Sequence, residues 1–83
     1  MMSDLKEKIR SFLQQNFYVQ DEAALADQAS LLDSGIVDST GILEVIVFIE
    51  KEFGFKVEDA EMLPDNLDSI ARIEAYVQRR TGL

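Results

Sequence analysis

Residues 31–54 read "LLDSGIVDSTGILEVIVFIEKEFG". The stretch holds two Asp-Ser pairs, Asp33-Ser34 and Asp38-Ser39, and the second opens the most apolar segment of the chain. Ile42, Val45, Ile46, Ile49 and Phe53 follow at the spacing of one face of a helix. A helix is therefore predicted over 39–53, with Glu44, Glu50, Lys51 and Glu52 on its polar side and Gly54 as the residue that stops it. Leu43, Val47 and Phe48 are surplus to that stripe, and a helix packing only one face would not need them.

Upstream, Leu5, Ile9, Phe12, Leu13 and Phe17 form a second stripe of helical period and predict a helix over 4–16. Ser3 is its expected N-cap, with Asp4 and Glu7 near the positive end of the dipole. Residues 17–37 contain no proline and one glycine, Gly35, which suits a turn of positive φ. They read as a long ordered connection pinned by Leu31, Leu32 and Ile36, and connections of that length are usually functional. Downstream, a short helix is expected around Asp59–Leu63, closed by Pro64. A last helix is expected from the capping residues Asn66–Asp68, with Ile70, Ile73, Tyr76 (or Ala75) and Val77 inward and Arg72, Arg79 and Arg80 outward. "FGFKV" is the one strand candidate and is too short to build a sheet. The expected architecture is all-α, a small four-helix bundle of three longer helices and a short third one, with a long first loop. The 83 residues make one domain, 1–83.

Composition narrows the chemistry. With neither cysteine nor histidine, disulfides, thiolate nucleophiles, His-ligated zinc and imidazole catalysis are excluded, and no catalytic or metal-binding residue is assigned. Sixteen acids against eight bases leave −8. Residues 21–68 concentrate the excess, with thirteen acids and two lysines. A nucleic-acid partner is disfavoured, since neutralising phosphates needs a basic stripe. Partners with basic patches are favoured instead. No apolar leader or membrane-length segment appears, so a cytoplasmic monomer without a membrane role is expected.

With Asp38 as N-cap, Ser39 falls at the first helical position. Its hydroxyl there stands beside free backbone N–H groups and the positive end of the dipole, a setting that favours a phosphate ester. Asp38 offers a carboxylate to a Mg²⁺ held by a modifying enzyme. The plainer alternative is that Asp-Ser only caps the helix. Gly41 in the first turn suggests either a close approach by a prosthetic arm or a partner surface, or plain tolerance of glycine near a frayed helix end. Thr40, Leu43 and Val47 line up as a second apolar ridge beside Glu44 and Glu50, the pattern of a docking surface for a partner groove edged by bases. A calcium loop over Asp33–Glu44 has the right length, but Gly35 and Val37 occupy ligand positions and Asp38 stands where glycine is required.

"DSGIVDST" followed by Glu44 and by Glu50-Lys51-Glu52-Phe53 resembles the phosphopantetheine-bearing carrier proteins, namely the acyl carriers and the related peptidyl and aminoacyl carriers. "VEDAEMLPDNLDSIARIEAYV" is similar to the family's short third helix and the entry to its fourth. The resemblance implies that Ser39 carries a 4′-phosphopantetheine arm, drawn from coenzyme A, whose thiol holds acyl or aminoacyl groups as thioesters. It also implies a carrier and not an enzyme, with Asp38, Glu44 and Glu50 as acidic and Leu43 and Val47 as apolar recognition positions. The implied partners are a phosphopantetheinyl transferase, a loading ligase and downstream transferases with basic docking patches. Thr40 stands where the family usually has leucine, Gly41 where an acid is common, and Lys51 interrupts the acids. The approach "LLDSGIVDS" looks closer to stand-alone carriers of amino acids or specialised acyl groups. The competing expectation is an unmodified acidic helical adaptor for a basic protein.

Overall fold

The computed structural model describes residues 2–19 and 25–82, and within them four α-helices and no strand. They are α1 (Met2–Asn16), α2 (Gly41–Phe53), α3 (Pro64–Leu67) and α4 (Ile70–Thr81), with a 3-10 turn at Asp59–Glu61. The all-helical expectation holds, with corrections at the helix ends. Ser3 lies inside α1, and the side chains of Ser3 and Asp4 fall outside the described residues. Pro64 opens α3 instead of closing the turn before it. Proline suits a first helical position, where its missing N–H would have had no partner. Ser69 caps α4, accepting the Arg72 N–H at 3.1 Å, so the helix starts later than Asn66–Asp68 would have it.

The core is built from three stripes. Leu5, Ile9 and Leu13 of α1, Val45, Ile46 and Ile49 of α2, and Ile70, Ile73, Tyr76 and Val77 of α4 are all buried. α4 packs against the other three helices. The long connection is held by Leu25, Leu31 and Val37, which are buried. Leu32, expected to pin it, is instead exposed, and Ile36 is half-buried. Phe12 stacks on Phe48 with ring centroids 4.2 Å apart, and Phe17 and Phe53 meet this pair edge-on. Phe48 thus spends its surface on α1, which leaves Leu43 and Val47 as the unclaimed apolar residues of α2.

Two polar clusters tie the ends together. Asp27 accepts from Lys6 Nζ at 2.9 Å and from Arg10 Nη2 at 2.5 Å, while the buried Glu74 sits 3.8 Å from the same Lys6 nitrogen. The Lys6 and Arg10 bonds hold the Asp27 carboxyl below its ordinary range, and the Asp27 bond lifts the Lys6 ammonium against its partial burial. Glu61 receives the Tyr76 hydroxyl at 2.9 Å and pairs with Arg80, whose guanidinium lies 4.8 Å over the Phe55 ring. Arg80 is therefore turned into the fold and not outward as the sequence suggested. Burial pushes the Glu61 carboxyl up, but the Glu58 N–H, the Tyr76 hydroxyl and Arg80 outweigh it and the net shift is down. Burial and the Glu61 charge push the Tyr76 phenol up to about 12.

The lowered carboxyls of Asp27 and Glu61 are expected to contribute to the acid sensitivity of the fold. A carboxyl with a depressed folded-state pKa contributes stability above its ordinary unfolded value, and the contribution is lost as pH falls through the folded value. Tm is expected to decline once the pH drops below the ordinary carboxylate range. Asp27→Asn should flatten that decline while lowering Tm at neutral pH. An unchanged acid slope in thermal melts of Asp27→Asn would assign the acid sensitivity elsewhere.

Candidate functional site

The two Asp-Ser pairs have different jobs. The Ser34 hydroxyl donates to the Leu31 carbonyl at 3.1 Å and is committed to its own loop. At the second pair the cap bond is made by the aspartate: Asp38 Oδ1 accepts the Gly41 N–H at 2.6 Å, and the Asp38 carbonyl accepts the Ile42 N–H at 3.0 Å. Asp38 is thus the functional N-cap expected of it, although the regular part of α2 begins at Gly41 and Ser39-Thr40 form a lead-in turn. Because Asp38 satisfies the helix end, the exposed Ser39 is not needed for capping.

Gly41 is buried, and its tightness has an internal cause. A Cβ at this position would lie 2.7 Å from Cε1 of Phe17 and 3.2 Å from Asp38 Oδ1. The sequence left open a prosthetic arm or a partner as the thing that approaches the turn; the structure assigns the approach to the ring of Phe17. Gly41→Ala gains about 1 kcal/mol of helix propensity but must overpack against that ring and the cap, at a cost of about 1–3 kcal/mol. It is expected to destabilise the wild-type chain and to stabilise Phe17→Ala, where the ring is gone and only the Asp38 contact remains. Urea melts of the two singles and the double read this change of sign; additive effects would rule out the contact as the reason for glycine.

Ser39 lines a cleft of about 200 Å³ with Leu32, Ile42, Met62, Leu63 and residues of α3. Leu32, Met62 and Leu63 are exposed. Sequence reading missed these residues as site neighbours, because only the fold brings the 62–67 segment to the mouth of α2. A separate, larger cleft, about 570 Å³, lies between α1 and α2 and is lined by Phe12, Leu43, Glu44, Val47 and Phe48 among others. Leu43 and Val47 are 58% and 47% exposed, and Asp38, Thr40 and Glu44 are exposed beside them. Glu50 is different: its Oε2 accepts the Val57 N–H at 2.9 Å and holds the chain that follows α2.

An exposed hydroxyl on a capped helix lead-in, beside apolar surface and exposed acids, is a setting that fits attachment of a long phosphate-linked arm. Residues 5–77 match the family described as phosphopantetheine attachment site, and the chain belongs to that family. Phosphopantetheine is accordingly its prosthetic group. Among curated proteins it is similar to a D-alanyl carrier protein of Abiotrophia defectiva, 35% identical over 48 residues. That alignment covers 58% of this chain and 61% of the relative.

Proposed function

We propose that Ser39 is the attachment residue and that the protein tethers a small aminoacyl or acyl group and presents it to partner enzymes, without catalysing a reaction itself. The carrying observation is the exposed Ser39 in the turn that Asp38 caps, inside the family match. Attachment forms a phosphodiester between Ser39 Oγ and the phosphorus of coenzyme A that bears the pantetheine. The pyrophosphate bond breaks, adenosine 3′,5′-bisphosphate leaves, and the serine proton passes to the transferase or solvent. When bound, the arm supplies a thiol that holds the cargo as a thioester. The chain's own contribution is tethering, which raises the effective concentration of cargo at each enzyme visited.

An aminoacyl cargo is favoured by the D-alanyl carrier relative. For recognition we assign Asp38, Thr40, Leu43, Glu44 and Val47, an apolar ridge edged by acids that suits a transferase, a loading ligase or a downstream transferase with a basic rim. Glu50 stands at the edge of this surface because its carboxylate is turned to Val57. Cytoplasmic placement follows from the same reading, since coenzyme A and its transferase must reach the serine.

The test is incubation with coenzyme A and a broad-specificity phosphopantetheinyl transferase, followed by intact mass and peptide mapping. One adduct on the peptide containing Ser39 is expected. No adduct, or an adduct on Ser34, would sink the assignment, and no adduct at all would leave the acidic adaptor as the better description.

A further inference from the structure

Asp68 lies between α3 and α4, outside the site described so far, yet three of its oxygens turn towards the loop that leads to Ser39. Its carbonyl accepts the Leu31 N–H at 2.7 Å. Oδ1 accepts the Leu32 N–H at 2.9 Å, and Oδ2 accepts the Ser30 hydroxyl at 2.7 Å. The Ser30 oxygen in turn accepts the Asp33 N–H at 3.0 Å. The relay continues along the loop: the Leu31 carbonyl accepts both the Ser34 hydroxyl and, at 3.1 Å, the Val37 N–H. Val37 is buried and directly precedes Asp38-Ser39. A chain of hydrogen bonds therefore runs from the α3–α4 junction to the residue before the cap.

We infer that Asp68 is a positioning residue for the modification of Ser39: it fastens residues 30–33 to the α3–α4 junction and so fixes where the Asp38-Ser39 turn stands relative to the apolar residues of 62–67. The α4 cap does not require the Asp68 side chain, because Ser69 performs that task. The inference rests on the carrier reading. Its kinetic signature follows from population arithmetic. A loop that samples several positions offers the competent one for only part of the time, so apparent affinity falls by that fraction while turnover of the bound complex is unchanged.

The experiment measures transferase kinetics on the full chain with coenzyme A. Asp68→Ala is expected to raise KM for the carrier about tenfold with kcat unchanged, the competent fraction having dropped to about a tenth. Asp68→Asn, which keeps an acceptor for the Leu32 N–H, should recover most of that loss. Ser30→Ala removes the Oδ2 limb and the Asp33 bond within the loop but leaves the Leu31 and Leu32 bonds to Asp68, should raise KM about threefold, and keeps the test open if Asp68→Ala does not fold. Tyr76→Phe loses the bond to Glu61 and lowers stability without touching residues 30–37, so its KM should stay at the wild-type value. Amide exchange at Leu31, Leu32 and Val37 should quicken in Asp68→Ala while α1 amides stay protected. Wild-type KM in Asp68→Ala and in Ser30→Ala, or an equal KM rise in Tyr76→Phe, overturns the positioning role and leaves the carrier reading standing. An unmodified wild-type chain overturns the carrier reading first.

Discussion

Ser39→Ala is expected to leave the fold intact and to abolish the adduct formed from coenzyme A. The structural half of this expectation comes from the division of labour in the turn. Asp38 makes the cap bond to the Gly41 N–H, and Ser39 is exposed. Removing an exposed hydroxyl with no structural task should move stability by no more than about 0.5 kcal/mol. Asp38→Ala should cost about 1 kcal/mol as a lost N-cap. The chemical half is all-or-none, because alanine has no oxygen to form the phosphodiester. Paired urea melts and intact masses separate the two halves. An adduct persisting in Ser39→Ala places the arm on another hydroxyl. A large loss of stability would mean that Ser39 supports the turn after all.

The second large effect contrasts the two faces of α2. Ile49 is fully buried. Ile49→Ala is expected to cost about 2–5 kcal/mol through lost transfer energy and the cavity left behind. For a chain of this length, total stability is roughly 4–12 kcal/mol, so much of it would be lost and Tm should fall by about 8 °C or more. Leu43, six residues earlier on the outward face, should behave in the opposite way. Its truncation to alanine is expected to move stability by at most about 0.5 kcal/mol. Binding to the transferase should nonetheless weaken by about 2 kcal/mol if Leu43 anchors a docked partner, roughly 30-fold in Kd. Equal affinity for wild type and Leu43→Ala would remove that residue from the recognition surface. A melt as damaged as that of Ile49→Ala would make it core.

Much of this was legible in the order of residues. The α1, α2 and α4 stripes are strong because each helix buries one face against the same core, so periodicity reports packing directly. Asp38 as cap and Leu43 and Val47 as surplus apolar residues were readable for the same local reason. What escaped the sequence depends on contacts between distant segments. Nothing near Asp68 announces that its side chain abandons the adjacent helix for a loop 36 residues away. Leu32 looked like an anchor because it is apolar, but the loop turns it outward and buries Val37. The bond from Glu50 to the Val57 N–H likewise appears only when the chain doubles back. Pro64 was misjudged because proline ends one element and opens another equally well.

The contact between Phe17 and Gly41 also governs how this surface can change over generations. An acidic side chain at position 41 would add charge two residues after Ser39, but it is blocked while the ring at 17 occupies the space. A lineage acquiring such a charge must first shrink residue 17 and tolerate the hole, or alter both together. The route is ordered, and descendants that keep the aromatic ring are confined to partners that do without a carboxylate there.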